Sequence, residues 1–195
     1  MEKNINRPKI SVVIPIHDME GGADFLWSSI NALTEQTFQD FELIITKEGT
    51  MAENTNAGIK RANGELIKIL YLDDCLAHKD ALKDIVEGFQ GTWLFTPTDN
   101  NLKPYYTDDI LAGNNRLGSP SALTILNDNP MLFDEDMTWL LDCDYYKRMH
   151  DLYGDPVILD KVGVNIGVGD HQVTHLLTSD EKTLEAQYIA HKHGE

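Results

Sequence analysis

The chain has 195 residues, 42% of them apolar, and a formal net charge of −16. That is enough apolar material for one good core, while so negative a charge argues against a duplex nucleic-acid surface or an anionic membrane, both of which are bound by basic patches. No stretch approaches the ~18 apolar residues of a membrane span, and the charged start Met1 to Lys9 precedes a run too short and too β-branched for a secretory signal. The simplest expectation is a cytoplasmic chain forming a single domain over residues 1–195.

Ile10 to Ile16 reads as a first strand, short, rich in β-branched residues and stopped by proline. Leu26, Ile30 and Leu33 then recur at helical spacing, and Phe41 to Thr46 forms a second apolar strand. Strand, helix, strand is the crossover unit of a parallel sheet, which binds ligands outside the carboxyl ends of its strands. His17, Asp18, Lys47 and Glu48 fall at those ends.

The run Gly64 to Leu72 drives a third apolar strand into two adjacent carboxylates, Asp73 and Asp74. Paired carboxylates at a strand mouth are hard oxygen ligands suited to Mg²⁺ or Mn²⁺, which in turn screens the phosphates of a nucleotide. The pair also fits a plain cap or turn before a helix spanning Asp80 to Phe89. Cys75 and Cys143, each beside an Asp, read as free thiols. Thr96 to Ser119 is the longest irregular stretch, with Asp99-Asn100-Asn101 and Gly113-Asn114-Asn115, and is expected to be a lid or acceptor loop.

A further helix is expected from about Asp136 to Tyr153. Its phase gathers Trp139, Cys143, Tyr146 and Met149 on one side, with Asp142 among them, and Asp144, Lys147 and Arg148 on the other. A carboxylate on an inward face is paired, protonated or used, which is the setting of a general base. His171, in Gly169-Asp170-His171-Gln172, is read either as an exposed loop histidine or as an imidazole ligand for Mn²⁺.

Together these pieces resemble the inverting family 2 glycosyltransferases of the GT-A fold. The resemblance rests on Ile10-Ser11-Val12-Val13-Ile14-Pro15, Leu33-Thr34-Glu35-Gln36-Thr37-Phe38, Asn56-Ala57-Gly58-Ile59, Ala62-Asn63-Gly64-Glu65 and Leu72-Asp73-Asp74, continued by Gly118-Ser119-Pro120-Ser121 and Phe133 to Tyr146. It implies an α/β, Rossmann-like, mainly parallel central sheet flanked by helices, with residues 1–76 binding the nucleotide sugar and 77–195 the acceptor. It implies a metal-dependent hexosyltransferase that inverts configuration as it moves a sugar, UDP-linked by expectation, onto a glycan or other hydroxyl acceptor. Pro15, Ile16, His17, Glu48, Asn56 and Asp73 would contact the donor, in a variant of the Asp-x-Asp motif whose first Asp meets the ribose. Asp74 and His171 would hold Mn²⁺ or Mg²⁺. Asp142 would be the base, with Leu141 where the family has Glu, and Asp144 is the alternative base. Gly118 to Ser121 and Trp139 would wall the acceptor.

Three departures bear on that reading. Lys47-Glu48-Gly49-Thr50 stands where the family has two acids and Gly-Ser, the connection from Gly49 to Asn56 is short, and Thr55 replaces the usual Arg. A reduced nucleotide pocket keeps open a non-catalytic nucleotide-sugar or glycan-binding module. A nucleotidyltransferase would use the same metal logic but wants a basic Gly-rich loop, and Gly21-Gly22 has no nearby Lys or Arg.

Overall fold

The β-branched run Ile10–Pro15 forms β1, and every residue of it is buried. The computed structural model describes residues 7–169 and 172–194. In chain order the further elements are α1 (Gly22–Thr34), β2 (Phe41–Thr46), α2 (Met51–Arg61), β3 (Leu66–Ile69), β4 (Cys75–Leu76), α3 (Ala81–Gly88) and β5 (Trp93–Phe95). After short 3-10 turns at Asp108–Ala112 and Pro120–Ala122 come β6 (Leu123–Leu126), α4 (Leu141–Tyr153), β7 (Val157–Ile158), β8 (Val164–Asn165), α5 (Val173–Leu176) and α6 (Ser179–His193).

Six strands form one sheet in the order β2-β1-β3-β6-β5-β7, and β4 pairs with β8 in a small second sheet. β1 is parallel to both neighbours, with Ile10 opposite Phe41 on one side and Leu66 on the other. β6 runs antiparallel to β3 and β5, and β7 is parallel to β5, so β6 alone opposes the common direction. This is the mainly parallel, helix-flanked α/β architecture expected from the sequence. Because the chain leaves β1 for β2 and returns on its other side as β3, the order reverses at β1, and such a switch point opens a crevice at the strand ends.

Strand alternation divides β1 between two cores. Ile10, Val12 and Ile14 pack with Leu33 of α1 and with Leu82 and Ile85 of α3. Val13 packs the opposite face with Ala52 and Ile59 of α2 and with Tyr145, Tyr146 and Met149 of α4. Close approach is needed where the chain enters β3. A Cβ at Gly64 would collide with the main chain of β1 at Ile10 and Ser11. Gly64→Ala is therefore expected to cost about 1–3 kcal/mol by overpacking, read as a lowered Tm in thermal denaturation.

Two expectations need correction at the C-terminal half. α4 begins at Leu141, not near Asp136, and Trp139 lies in the turn before it. The cause is distant in sequence: the Glu185 carboxylate of α6 accepts the main-chain N–H groups of Thr138 at 3.1 Å, Trp139 at 2.7 Å and Leu140 at 2.5 Å. A side chain 45 to 47 residues away thus gathers the N–H groups of the N-cap Leu140 and of the two residues before it, fixing the chain where α4 starts. Asp144, placed by phase on an outer face, is fully buried, because the end of α6 covers it with Lys192 and His193. Among the described residues no helix is long and apolar enough to cross a membrane. Cys75 and Cys143 are both free.

Candidate functional site

The carboxyl ends of β1 and β3 open on a cavity of about 330 Å³ whose wall includes His17, Asp73, Asp74, Trp139 and Asp142. A second cavity, of about 360 Å³, adjoins it through His17, Met51, Tyr71 and Asp73 and is lined further by Pro15, Thr50 and Asn54. The apolar run of β3 continues through Leu70 and Leu72, both buried, and this delivers the two aspartates to the crevice.

Asp74 is held from several sides. Its main-chain N–H donates to the Tyr71 carbonyl at 3.0 Å, and its own carbonyl accepts the Ser29 hydroxyl of α1 at 2.6 Å. Its Oδ1 accepts the Gly167 N–H at 2.8 Å. Burial pushes the Asp74 carboxyl up to about 7, Asp73 adds to the shift, and Ser121, Gly167 and Lys68 oppose it. Gly167 has to be glycine, since an added Cβ would lie 2.8 Å from both Cβ and Oδ2 of Asp73. A backbone pressed this closely onto adjacent carboxylates forms an oxygen-rich, anionic cradle.

Among the described residues no group of three or more His, Cys, Asp or Glu side chains gathers as a complete cation cage. The two aspartates nevertheless fit a divalent ion of the Mg²⁺ or Mn²⁺ class. Such ions take carboxylate oxygens from one or two side chains and fill the remaining positions with water or phosphate oxygens. His171 lies outside the described residues.

Asp142 sits in the first turn of α4, half-buried, where the helix N-terminus favours an anion. Its Oδ1 accepts the Cys143 N–H at 2.8 Å and its Oδ2 accepts the Asn115 amide at 2.7 Å. Burial still pushes its carboxyl above the ordinary value, with the Cys143 N–H and Asn115 opposing. Asn115 can present only that end of its amide to Asp142. Its oxygen is taken by the N–H groups of Leu117 at 2.9 Å and Gly118 at 3.0 Å.

The other residues singled out from the sequence divide. Pro15 lines the second cavity, and the Ile16 carbonyl accepts the Asn54 amide at 2.8 Å. Glu48 is exposed, ion-paired with Arg61, and lines neither cavity. Asn56 is buried in the middle of α2 and is spent on the loop before α4, donating to Phe133 O and Glu135 Oε1 at 2.9 Å each and accepting Phe133 N–H at 2.8 Å. Asp144 lies away from both cavities in an ion cluster with Arg148 at 2.8 Å, Lys192 at 2.8 Å and His193 at 2.9 Å. Although burial alone would raise it, hydrogen bonds from Lys192 and His193 and the charge of Arg148 hold its carboxyl below the usual range.

Sequence reasoning passed over Asn54 and Lys68. Asn54 ties the ends of β1 and β2 together, through Ile16 O and through the Glu48 N–H at 3.0 Å. Its place is set by the capping box of Thr50 and Glu53, which is legible as Thr-x-x-Glu. Lys68 is fully buried in β3, and its ammonium donates to the carbonyl of Ser121. Burial brings it down to about 7, against the pull of Asp74. A lysine inside an apolar run was the available signal.

The arrangement can hold a cation on one pair of carboxylates and take up a proton on a separate one. No family model matches the sequence, and no curated protein matches it. Solved structures do. S. aureus TarS 1-349 in complex with UDP-GlcNAc is similar at a TM-score of 0.72 and 18% identity, over 93% of this chain and 65% of that one. S. aureus TarS 1-349 is similar at a TM-score of 0.63 and 17% identity, over 82% and 60%. The mannosyltransferase PcManGT from Pyrobaculum calidifontis, in complex with GDP-Man and Mn²⁺, is similar at 0.63 and 12%, over 86% and 59%. The chain thus spans 59% to 65% of the length of these three. At such identities the likeness establishes the shared fold.

Proposed function

We propose that this chain is a nucleotide-sugar glycosyltransferase that moves a hexosyl group, from UDP by preference, onto a hydroxyl acceptor with inversion and with the help of a divalent cation. The observation that carries the proposal is that Asp73, Asp74 and Asp142 line one cavity at the carboxyl edge of a mainly parallel sheet. Similar folds that bind UDP-GlcNAc, or GDP-Man with Mn²⁺, support it. In this reading residues 1–76 bind the donor and 77–195 the acceptor, and the protein acts in the cytoplasm.

The adjoining cavity of about 360 Å³, with Met51 and Tyr71 as apolar walls and Asn54 as a polar one, takes the nucleoside. Asp73 and Asp74 would hold the cation, with His171 as a further ligand, and the ion supplies charge neutralisation to the departing diphosphate. Ser119, Pro120 and Trp139 wall the side toward the acceptor. The acceptor oxygen bonds to the anomeric carbon as that carbon's bond to the diphosphate oxygen breaks. The acceptor proton passes to Asp142, the electron pair leaves with the nucleoside diphosphate, and configuration inverts. Asn115 keeps Asp142 aimed and lowers the cost of its charge.

Asn115→Ala should therefore raise the Asp142 pKa further. Because a base works deprotonated, the acid limb of the kcat/KM profile should move to higher pH, by about one unit for one charge-assisted hydrogen bond. Asn115→Asp keeps the acceptor for the loop N–H groups but sets a like charge beside Asp142, and should move the limb at least as far. An unshifted limb in both variants would remove Asn115 from the mechanism.

Transfer from UDP- and GDP-sugars to a panel of glycan acceptors, followed by release of nucleoside diphosphate, tests the function itself. A second reading, a binding module without turnover, is favoured by the positions of Glu48 and Asn56 outside both cavities. It predicts donor-induced stabilisation with neither transfer nor donor hydrolysis.

A further inference from the structure

Next to the carboxylate cavity lies a groove of about 340 Å³ that shares Ser119 and Ile166 with it. The rest of its wall is Asn100, Asn101, Asn115, Arg116 and Gly118, so it contains amides and one guanidinium but no carboxylate. That composition stands out in a chain of net charge −16.

The frame of the groove is fixed by its main chain. The Arg116 carbonyl accepts the Asn101 amide at 2.9 Å and the Tyr105 N–H at 3.2 Å, while Asn115 closes the turn through Leu117 and Gly118. The functional ends of the side chains are left over. Among the described residues no hydrogen bond or ion pair engages the Arg116 guanidinium, the Asn100 amide nitrogen or the Asn101 amide oxygen. The acid whose charge Arg116 feels, Asp109, is itself occupied by Thr107 and by Asn114 at 2.8 Å.

An exposed arginine means little by itself. Its position relative to the carboxylates gives it meaning. Asp73, Asp74 and Asp142 all line the adjoining cavity, so a negative group on an acceptor would be repelled there. It would be attracted in the groove, where a planar guanidinium can grip a phosphate or carboxylate with two parallel N–H bonds. Amide donors and acceptors beside it match sugar or polyol hydroxyls. Asn115 belongs to the groove wall and also bonds Asp142, so a ligand seated there lies against the residue that aims the base.

We propose that this groove is the acceptor subsite, and that it selects a polyhydroxylated acceptor carrying a phosphate or carboxylate, with Arg116 binding the anionic group and a hydroxyl directed past Ser119 toward Asp142. This rests on the transferase reading above.

The test is a calorimetric or NMR titration of the full chain with glucose 6-phosphate, glucuronate and methyl glucoside. It is run on wild type, Arg116→Gln and, as a surface control, Lys83→Gln on α3. At least one charged sugar should bind tenfold or more tighter than methyl glucoside. Arg116→Gln should erase the difference, and Lys83→Gln should keep it. The order of phosphate and carboxylate identifies the group that is read. No discrimination by wild type, discrimination that survives Arg116→Gln, or an equal loss in Lys83→Gln would each overturn the proposal. UDP binding with Mn²⁺, measured on the same preparation, separates the two ideas. If UDP binds and the Arg116 arm fails, the subsite alone falls. If charged sugars bind through Arg116 and UDP does not, the donor reading falls and the groove stands as an anionic-sugar site.

Discussion

Asp142→Asn is expected to lower the single-turnover rate of sugar transfer by a factor of roughly 10² to 10⁴ while leaving donor affinity nearly unchanged. The amide keeps the shape of the side chain and can still accept the Cys143 N–H, but it has no basicity. A base acts in the transition state, whereas the donor is held by the strand ends and the cavity beside them. Asp144→Asn should behave in the opposite way. Its carboxylate meets Arg148, Lys192 and His193 and lines neither of the two cavities. Removing its charge leaves the Arg148 and Lys192 cations facing one another beside His193, at a cost of about 1–3 kcal/mol in stability and no cost in rate per folded molecule. Transfer rates, donor titrations and melting curves for both variants decide the matter. Loss of transfer in Asp144→Asn with an unaffected Asp142→Asn would exchange the two assignments.

What the sequence carried openly was whatever is decided locally. β1 ends at Pro15, one residue before the expected Ile16, and β2 spans Phe41–Thr46 as read, because continuous β-branched runs bounded by turn residues have few other uses. Asp73 and Asp74 reach the cavity because a buried strand simply runs into them. What stayed hidden was whatever depends on distant partners. β5 and β6 have three and four residues, too few to show a period, and their identity as strands rests on pairing with each other and with β3. The start of α4 is set by Glu185 and the burial of Asp144 by Lys192 and His193, neither of which leaves a mark on α4's own periodicity. Asn56 looked like a donor contact from its motif, but its amide spans to Phe133 across 77 residues of chain. The motif's asparagine bonds the loop before α4 and lines neither cavity, whereas Asn54, two positions earlier, lines the second.

A nucleoside diphosphate is expected to stabilise the protein only together with a divalent cation, and Asp74→Asn is expected to abolish that synergy. The adjacent carboxylates of Asp73 and Asp74 would otherwise repel the diphosphate. With UDP and Mn²⁺ each at 100 times its Kd, ligation should add about 2.7 kcal/mol, a shift of several degrees in Tm for a chain of this size. UDP in EDTA should add nearly nothing. The ligand-free variant carries the sharper discrimination. Asp74 is 3% exposed, and burial together with Asp73 penalises its charge, so a carboxylate kept there for stability alone makes little sense. Replacing it with the uncharged amide should leave the Tm of the ligand-free protein unchanged or raise it, even as cation-dependent ligand binding disappears. That trade of ligand binding against stability is the signature of a residue retained for its site. Equal stabilisation of the wild type by UDP in EDTA would sink the cation bridge. A large loss of Tm in ligand-free Asp74→Asn would instead make the carboxylate a structural acceptor for Gly167 and Ser121.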